Sequence, residues 1–268
     1  MVRRVAVVTG ASSGIGAETA RELSRRGWRV AVAGRDPERT HEIAQRIGGN
    51  PFVADFDQLE QVRTLARDIL DTMRQVDALV NNAGGILTSR EISADGYELT
   101  LQRNVLGSVV LTEALIGELS ERSGRIVHTS SLMHRIGRIN TSDINYERRP
   151  FRGGWPAYAD AKLGVLLYAK SVAKRSGLES FPVHPGYVAS NFGPDTPAAR
   201  RLLKLSRPLQ ISVPAGAAPL VHLVDTPELG VENGTYFDGL NPYAPIHPAG
   251  KNPALVERYW EEVASRVG

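Results

Sequence analysis

Short apolar runs alternate with amphipathic stretches along most of the chain. Val5-Ala6-Val7-Val8 is apolar without alternation, as in a parallel strand buried on both faces, so a strand is predicted over Arg3 to Thr9. A helical pattern follows through Ala20, Leu23 and Arg26, then a second strand over Trp28 to Ala33, ending at Gly34-Arg35-Asp36-Pro37. The next helix runs through Ile47 to a Gly-Gly-Asn-Pro turn at 48 to 51 and a short strand, Phe52-Val53-Ala54. A helix from near Gln58 through Met73 precedes a fourth strand, Val76 to Val80. Asp95 to Leu119 is the longest predicted helix, and Arg125 to Thr129 is the fifth strand. Helices are predicted again over Ala157 to Arg175, Pro214 to Val224 and Ala254 to Val267, with strands at Phe181 to His184 and Gly234 to Phe237. Strands and helices alternating in this way form an α/β sheet, predominantly parallel, whose ligands sit at the carboxyl edge.

Two stretches break the alternation. Leu132 to Pro156 is polar and irregular, with five arginines set among Tyr146, Phe151 and Trp155. It is too long for a routine connection and is expected to be a function-bearing insertion at about 132–156. Its arginines either steer an anionic substrate or form solvated surface. Residues 190–215, rich in Pro and Arg, read as a flexible substrate-covering segment. No repeat and no linker divides the chain, so one domain over 1–268 is expected.

Composition narrows the setting. A net charge of +3 and a pI near 9.2 are mildly basic, but the arginines are scattered among Asp and Glu, so no nucleic-acid partner is expected. With no cysteine, disulfides and thiolate metal sites are excluded, and no metal site is expected. Met1 runs almost directly into the first strand, and no apolar run reaches transmembrane length. The expectation is a soluble, cytoplasmic protein with no membrane partner.

The candidate chemistry lies at the strand ends. Between a buried strand and a helix, the loop Gly10-Ala11-Ser12-Ser13-Gly14-Ile15-Gly16 has the context of a pyrophosphate cradle. Glycines admit close backbone approach, and the helix N-terminus offers free N–H groups and a favourable dipole. Arg35, at the end of the second strand, favours the extra phosphate of NADP(H), with NAD(H) possible; Asp36 is assigned to capping a helix with Pro37 at its first position. Asp55-Phe56 ends the third strand; the carboxylate either accepts from an adenine amino group or caps the next helix. Asn82-Ala83-Gly84 and Pro185-Gly186-Tyr187-Val188 form further turns on the same edge. Asn104 lies inside a helix, where a polar role at a buried kink suits it better than exposure. Tyr158 and Lys162, four apart, share one helix face, and an ammonium beside a phenol pulls the phenol's pKa toward neutrality. Ser130-Ser131 ends the fifth strand.

In this order and spacing, Thr9-Gly10-x-x-x-Gly14-x-Gly16, Asn81-Asn82-Ala83-Gly84, Asn104, Ser131, Tyr158-x-x-x-Lys162 and Pro185-Gly186 resemble the short-chain dehydrogenase/reductase family over essentially the whole chain. Ser130-Ser131-Leu132-Met133-His134, the insertion after it and Ala94-Asp95-Gly96-Tyr97-Glu98 look most like the retinol-dehydrogenase-like branch, here without that branch's frequent membrane anchor. The resemblance implies a doubly wound Rossmann domain with seven parallel strands. It implies that Tyr158 exchanges a proton with a substrate carbonyl or alcohol oxygen and that Ser131 bonds the same oxygen. By the same likeness Lys162 lowers the tyrosine pKa and holds the nicotinamide ribose, while Asn104 positions a water linking Lys162 to solvent. Ser190 departs from the threonine often found after Pro-Gly, and the tail beyond about Gly239 matches no motif. The expected activity is hydride transfer between NADP(H) and a small-molecule carbonyl or alcohol. Alternatives on the same fold are a dehydration, epimerisation or cyclisation, or dinucleotide binding without catalysis. Members often pair through two long helices, here Asp95 to Leu119 and Ala157 to Arg175, so a homodimer or homotetramer is open.

Overall fold

Strand β1 (Val5–Thr9) is buried along its whole length and sits mid-sheet, which is why its sequence is apolar without alternation. The computed structural model describes residues 3–188 and 210–268. Around β1 lie β2 (Arg29–Gly34), β3 (Asn50–Val53), β4 (Ala78–Asn81), β5 (Arg125–Thr129), β6 (Glu179–His184), β7 (Phe237–Asp238) and β8 (Asn241–Pro242), in the order β3-β2-β1-β4-β5-β6-β7-β8. The first seven run parallel, as expected; β8 adds a two-residue antiparallel edge that the sequence does not announce.

Alternate residues of each strand feed two cores. Val5 and Val7 face α3 (Leu59–Met73), α5 (Gly107–Glu121), α6 (Trp155–Arg175) and α8 (Pro253–Val267); Ala6 and Val8 face α1 (Gly14–Arg25), α2 (Pro37–Ile47) and α7 (Val213–Asp225). The strand order reverses between β1 and β4, so the loops after these strands open a crevice at the carboxyl edge.

Local chemistry corrects several boundaries. Asp36 does cap α2, accepting from the Arg39 N–H at 3.0 Å. Asp55 does not cap α3: it accepts the Asp57 N–H in a local turn at 3.1 Å, and the Leu59 N–H goes to Asp95 at 3.0 Å. Having that task, Asp95 stands outside the helix predicted to begin there. The buried Glu98 carboxylate instead accepts from Thr100 and Leu101 and starts a short α4 (Leu99–Leu101). A π-turn, Gln102–Leu106, joins α4 to α5 and holds Asn104, so the expected kink is present. The last parallel strand begins at Phe237 rather than Gly234, because Gly234, at φ 82°, and Thr235 form a turn on Glu232.

The insertion folds into short 3-10 turns held against α6. Asp160 accepts from the Arg138 N–H (2.6 Å), the Tyr146 hydroxyl (2.5 Å) and Arg149 (2.8 Å), and Arg149 also pairs with Asp143 at 3.1 Å. Arg149 is thus engaged in holding the insertion together rather than presented to an anion. Most of the expected covering segment, 190–209, lies outside the described residues. Its end does not cover anything loosely: Ile211 donates to the Tyr187 carbonyl at 2.8 Å, and residues 213–215 are the first turn of α7.

Helix α8 packs across α6 and α5, the helices named for pairing. Tyr259 fills the notch at Gly164, Lys174 meets Glu257 at 3.2 Å, and Arg175 stacks on Trp260 at 4.7 Å. Burying Val256, Tyr259 and Val263 contributes roughly 5–8 kcal/mol before entropy is counted.

Candidate active site

The loop after β1 is shaped by close approach. Gly10 has φ 62° and Gly14 φ 56°, and a β-carbon on Gly16 would lie 2.6 Å from Asn82 Nδ2 and closer still to the Gly10 carbonyl oxygen. Ser13 stands at the N-cap of α1 without a side-chain cap bond, so the first N–H groups beside Ser12 and Ile15 are left to a ligand. The loop is tied to the turn after β4 through Thr9, whose hydroxyl accepts from Asn82 and Ala83 N–H at 2.9 Å each and donates to Val80. Asn82 Nδ2 returns a bond to the Thr9 carbonyl at 3.1 Å, and Asn82 Oδ1 accepts from Thr129 at 3.3 Å. Gly10, Gly14, Gly16, Asn82, Ala83 and Gly84 therefore converge on one crevice.

Four further residues meet beside it. Asn104 Nδ2 donates to the carbonyls of Gly85 (2.7 Å) and Thr100 (2.8 Å), and a β-carbon on Gly84 would stand 2.5 Å from Asn104 Oδ1 and 3.4 Å from Lys162 Nζ. Lys162 is 4% exposed and donates to the Thr129 carbonyl at 2.9 Å, with Nζ 5.5 Å from the Tyr158 ring centre. Tyr158, 5% exposed, lies beside the Ser131 hydroxyl, which favours its ionised form. Ser130 points away and donates to the Lys162 carbonyl at 3.1 Å, pinning the end of β5 to α6.

The electrostatics differ from the expectation in one respect. Burial holds the Tyr158 phenol above its ordinary value, opposed by the Ser131 hydroxyl beside it, while burial brings Lys162 down to about 7. In the protein alone the ammonium therefore does not depress the phenol. It is directed at the Thr129 carbonyl, and its own charge is disfavoured.

The remaining expected cofactor residues divide. Arg35 is 64% exposed at the end of β2, with Nη1 3.8 Å from Asp57, whose carboxylate is already held by Arg103 at 2.8 and 2.5 Å. Asp55 is half-buried on the same edge. Phe56 turns its ring into the core against Gly107, so only its backbone remains at the edge. Pro185 and Gly186, the latter at φ 98°, lead from β6 to Val188, which touches Gly216 of α7 beside Ile15. Ser190 lies outside the described residues. The sequence does not single out the Thr9 tie, the Asp57–Arg103 pair or the buried His134; each depends on a partner at least three residues away, without a spacing rule.

A dinucleotide fits this arrangement: glycines leave room where β-carbons would intrude, α1 offers an uncapped N-terminus, and Arg35 is open at the adjacent strand end. Among the described residues no helix is long and apolar enough to cross a membrane. A family model described as short chain dehydrogenase matches residues 4–200. A candidate daunorubicin C-13 ketoreductase, DnrU, of Streptomyces sp. (strain C5) is 35% identical over 99% of this chain and 93% of that one. Human retinol dehydrogenase 13 is 33% identical over 99% of this chain and 85% of its own. A crystal structure of an uncharacterized protein from Mycobacterium paratuberculosis superposes with a TM-score of 0.81 at 28% identity, covering 99% and 94% of the two chains. With its Rossmann fold and its oxidoreductase-named relatives, the chain belongs to the short-chain dehydrogenase/reductase family of enzymes.

Proposed function

We propose that the protein is an NADP-dependent carbonyl reductase or alcohol dehydrogenase in which Tyr158 is the general acid and base. The observation that carries this reading is the buried Tyr158 phenol set beside Ser131 and Lys162, with Lys162 Nζ 5.5 Å from its ring centre, at the same sheet edge as the glycine cradle. A bound nicotinamide would supply the hydride for carbonyl reduction, or accept one in alcohol oxidation. In reduction, the Tyr158 O–H passes its proton to the carbonyl oxygen, and Ser131 donates a second bond to that oxygen. These donors stabilise the charge that develops there. Lys162 holds the ribose and, through a water positioned by Asn104, returns the proton from solvent. Gly10, Ser12, Ser13, Gly14, Ile15 and Gly16 hold the pyrophosphate, Arg35 the additional phosphate, Asp55 and the Phe56 backbone the adenine. Asn82, Ala83, Gly84, Pro185, Gly186 and Val188 line the nicotinamide half. We place the enzyme in the cytosol.

The rim supports a bulky, largely apolar substrate. Leu132, Ile136, Trp155, Tyr187 and Leu240 are exposed large side chains on segments that carry or flank Ser131, Tyr158, Gly186 and the end of β7. The names of the relatives, a ketoreductase and a retinol dehydrogenase, fit carbonyl chemistry on such skeletons. The test is NADPH consumption with 2-acetylnaphthalene, retinal and short aliphatic ketones, and the reverse reaction with the corresponding alcohols. Tyr158→Phe should lower turnover at least about a hundredfold while NADPH still binds. A variant that keeps most of its activity would sink the proposed mechanism, and preference for the short ketones would sink the substrate class.

A further inference from the structure

The 3-10 turn Leu132–Ile136 follows Ser131 directly, and His134 is its one fully buried side chain, with no exposed surface. Leu132 and Ile136 face solvent instead. The Ser131 carbonyl accepts two bonds from His134, from the backbone N–H at 3.0 Å and from ring Nδ1 at 2.6 Å. A carbonyl only accepts, so Nδ1 carries the proton and the tautomer is fixed. The same serine is held from a second side, its Oγ accepting the Met133 N–H at 3.3 Å, which leaves the hydroxyl proton for the oxygen of Tyr158 or of a substrate.

This anchor is costly. With Nδ1 as donor, Nε2 is a buried acceptor with no partner among the described residues, and the nearby Tyr236 hydroxyl is likewise unpaired, the two ring centres 4.7 Å apart. An apolar side chain would fill the same space without stranding a polar atom. Packing alone therefore does not account for histidine here; its Nδ1–H bond to Ser131 does. The turn has little other freedom, since a β-carbon on Gly137 at its end would stand 2.5 Å from the Ala159 carbonyl of α6.

We propose that His134 is a positioning residue: through Nδ1 it fixes the Ser131 peptide, and with it the direction in which the Ser131 hydroxyl meets the substrate oxygen. This rests on the proposed role of Ser131. The test compares His134→Phe, which keeps the ring volume and loses the donor, with His134→Asn, whose amide stands in for Nδ1–H, each in the wild-type and the Ser131→Ala backgrounds. Reduction of 2-acetylnaphthalene and retinal by NADPH is followed. His134→Phe should lower kcat about tenfold to a hundredfold with NADPH affinity unchanged, and His134→Asn should recover to within about threefold of wild type. In Ser131→Ala, His134→Phe should cost less than about twofold more, because its effect runs through the serine. Equal activity of the Phe and Asn variants, or a full additional loss in Ser131→Ala, would overturn the proposal alone. An unimpaired Ser131→Ala, or a wild type that reduces neither compound, would overturn the proposed role of Ser131 as well. If His134→Phe does not fold, His134→Gln replaces it, reaching the Nε2 position but not Nδ1; Gln matching Asn in kcat would equally refute the assignment.

Discussion

Replacing Lys162 by methionine should stabilise the protein at neutral pH while removing its chemistry. Burial lowers the Lys162 ammonium from 10.5 to about 7. Between those values the unfolded chain binds a proton that the folded chain does not, so stability rises with pH across the interval. The penalty is complete below pH 7 and gone above 10.5. At about 1.4 kcal/mol per pH unit, the interval sets a ceiling of roughly 5 kcal/mol on what the buried cation costs. Methionine also forfeits the 2.9 Å bond to the Thr129 carbonyl, and an acceptor left without its donor costs about 1–3 kcal/mol. The net expectation is a variant more stable than wild type by roughly 2–4 kcal/mol at pH 6, an advantage that shrinks steadily and disappears by about pH 10. Thermal unfolding followed by circular dichroism from pH 6 to 10 measures it, with turnover assayed in parallel. A variant less stable at pH 6, or a difference that does not vary with pH, would refute the reasoning.

Three other outcomes are expected. Arg35→Asp should weaken NADPH binding by about ten- to a hundredfold and leave NADH binding nearly unchanged; an unaltered ratio of the two affinities in fluorescence titrations would count against Arg35 as the phosphate ligand. Gly164→Ala forces a β-carbon to within 2.8 Å of Tyr259 Cζ and closer to its hydroxyl, so thermal unfolding should reveal a loss of about 1–3 kcal/mol, and an unchanged midpoint would contradict the docking of α8. His128, held neutral to about pH 3 by burial, is uncharged in the fold but protonated in the unfolded chain below about 6.5. Stability should therefore fall as pH drops from 6.5, by up to roughly 1.4 kcal/mol per unit for this residue, and His128→Phe should flatten that slope; an equal slope in both proteins would remove His128 from the account.

What was legible in the sequence follows from how local each signal is. The run Val5 to Val8 needs no partner to declare a buried parallel strand, and Asp36-Pro37 declares its own helix start. The glycine loop and Tyr158 with Lys162 are similarly self-contained, and the fold brings them to one edge. Asp55 and Asp95 show the limit. Each is a fair capping residue, and only the folded chain decides that Asp95, 36 positions from Leu59, takes the N–H there. The placing of the Phe56 ring is equally non-local, since Gly107, far along the chain, makes room for it. The sign of the Tyr158 shift was likewise not legible, because burial, not the four-residue spacing to Lys162, governs it in the protein alone.

Asp160 lies between Tyr158 and Lys162 in the chain and faces the other way, where three donors from the insertion converge on it. One turn of α6 thus carries the proposed acid–base pair on one side and a clasp on the other. For anyone redesigning the enzyme this is a modular joint. Loops of new length and sequence could be grafted over 139–154, provided each brings hydrogen-bond donors for the Asp160 carboxylate. A graft that leaves that carboxylate unmet would loosen the helical turn on which Tyr158 and Lys162 stand.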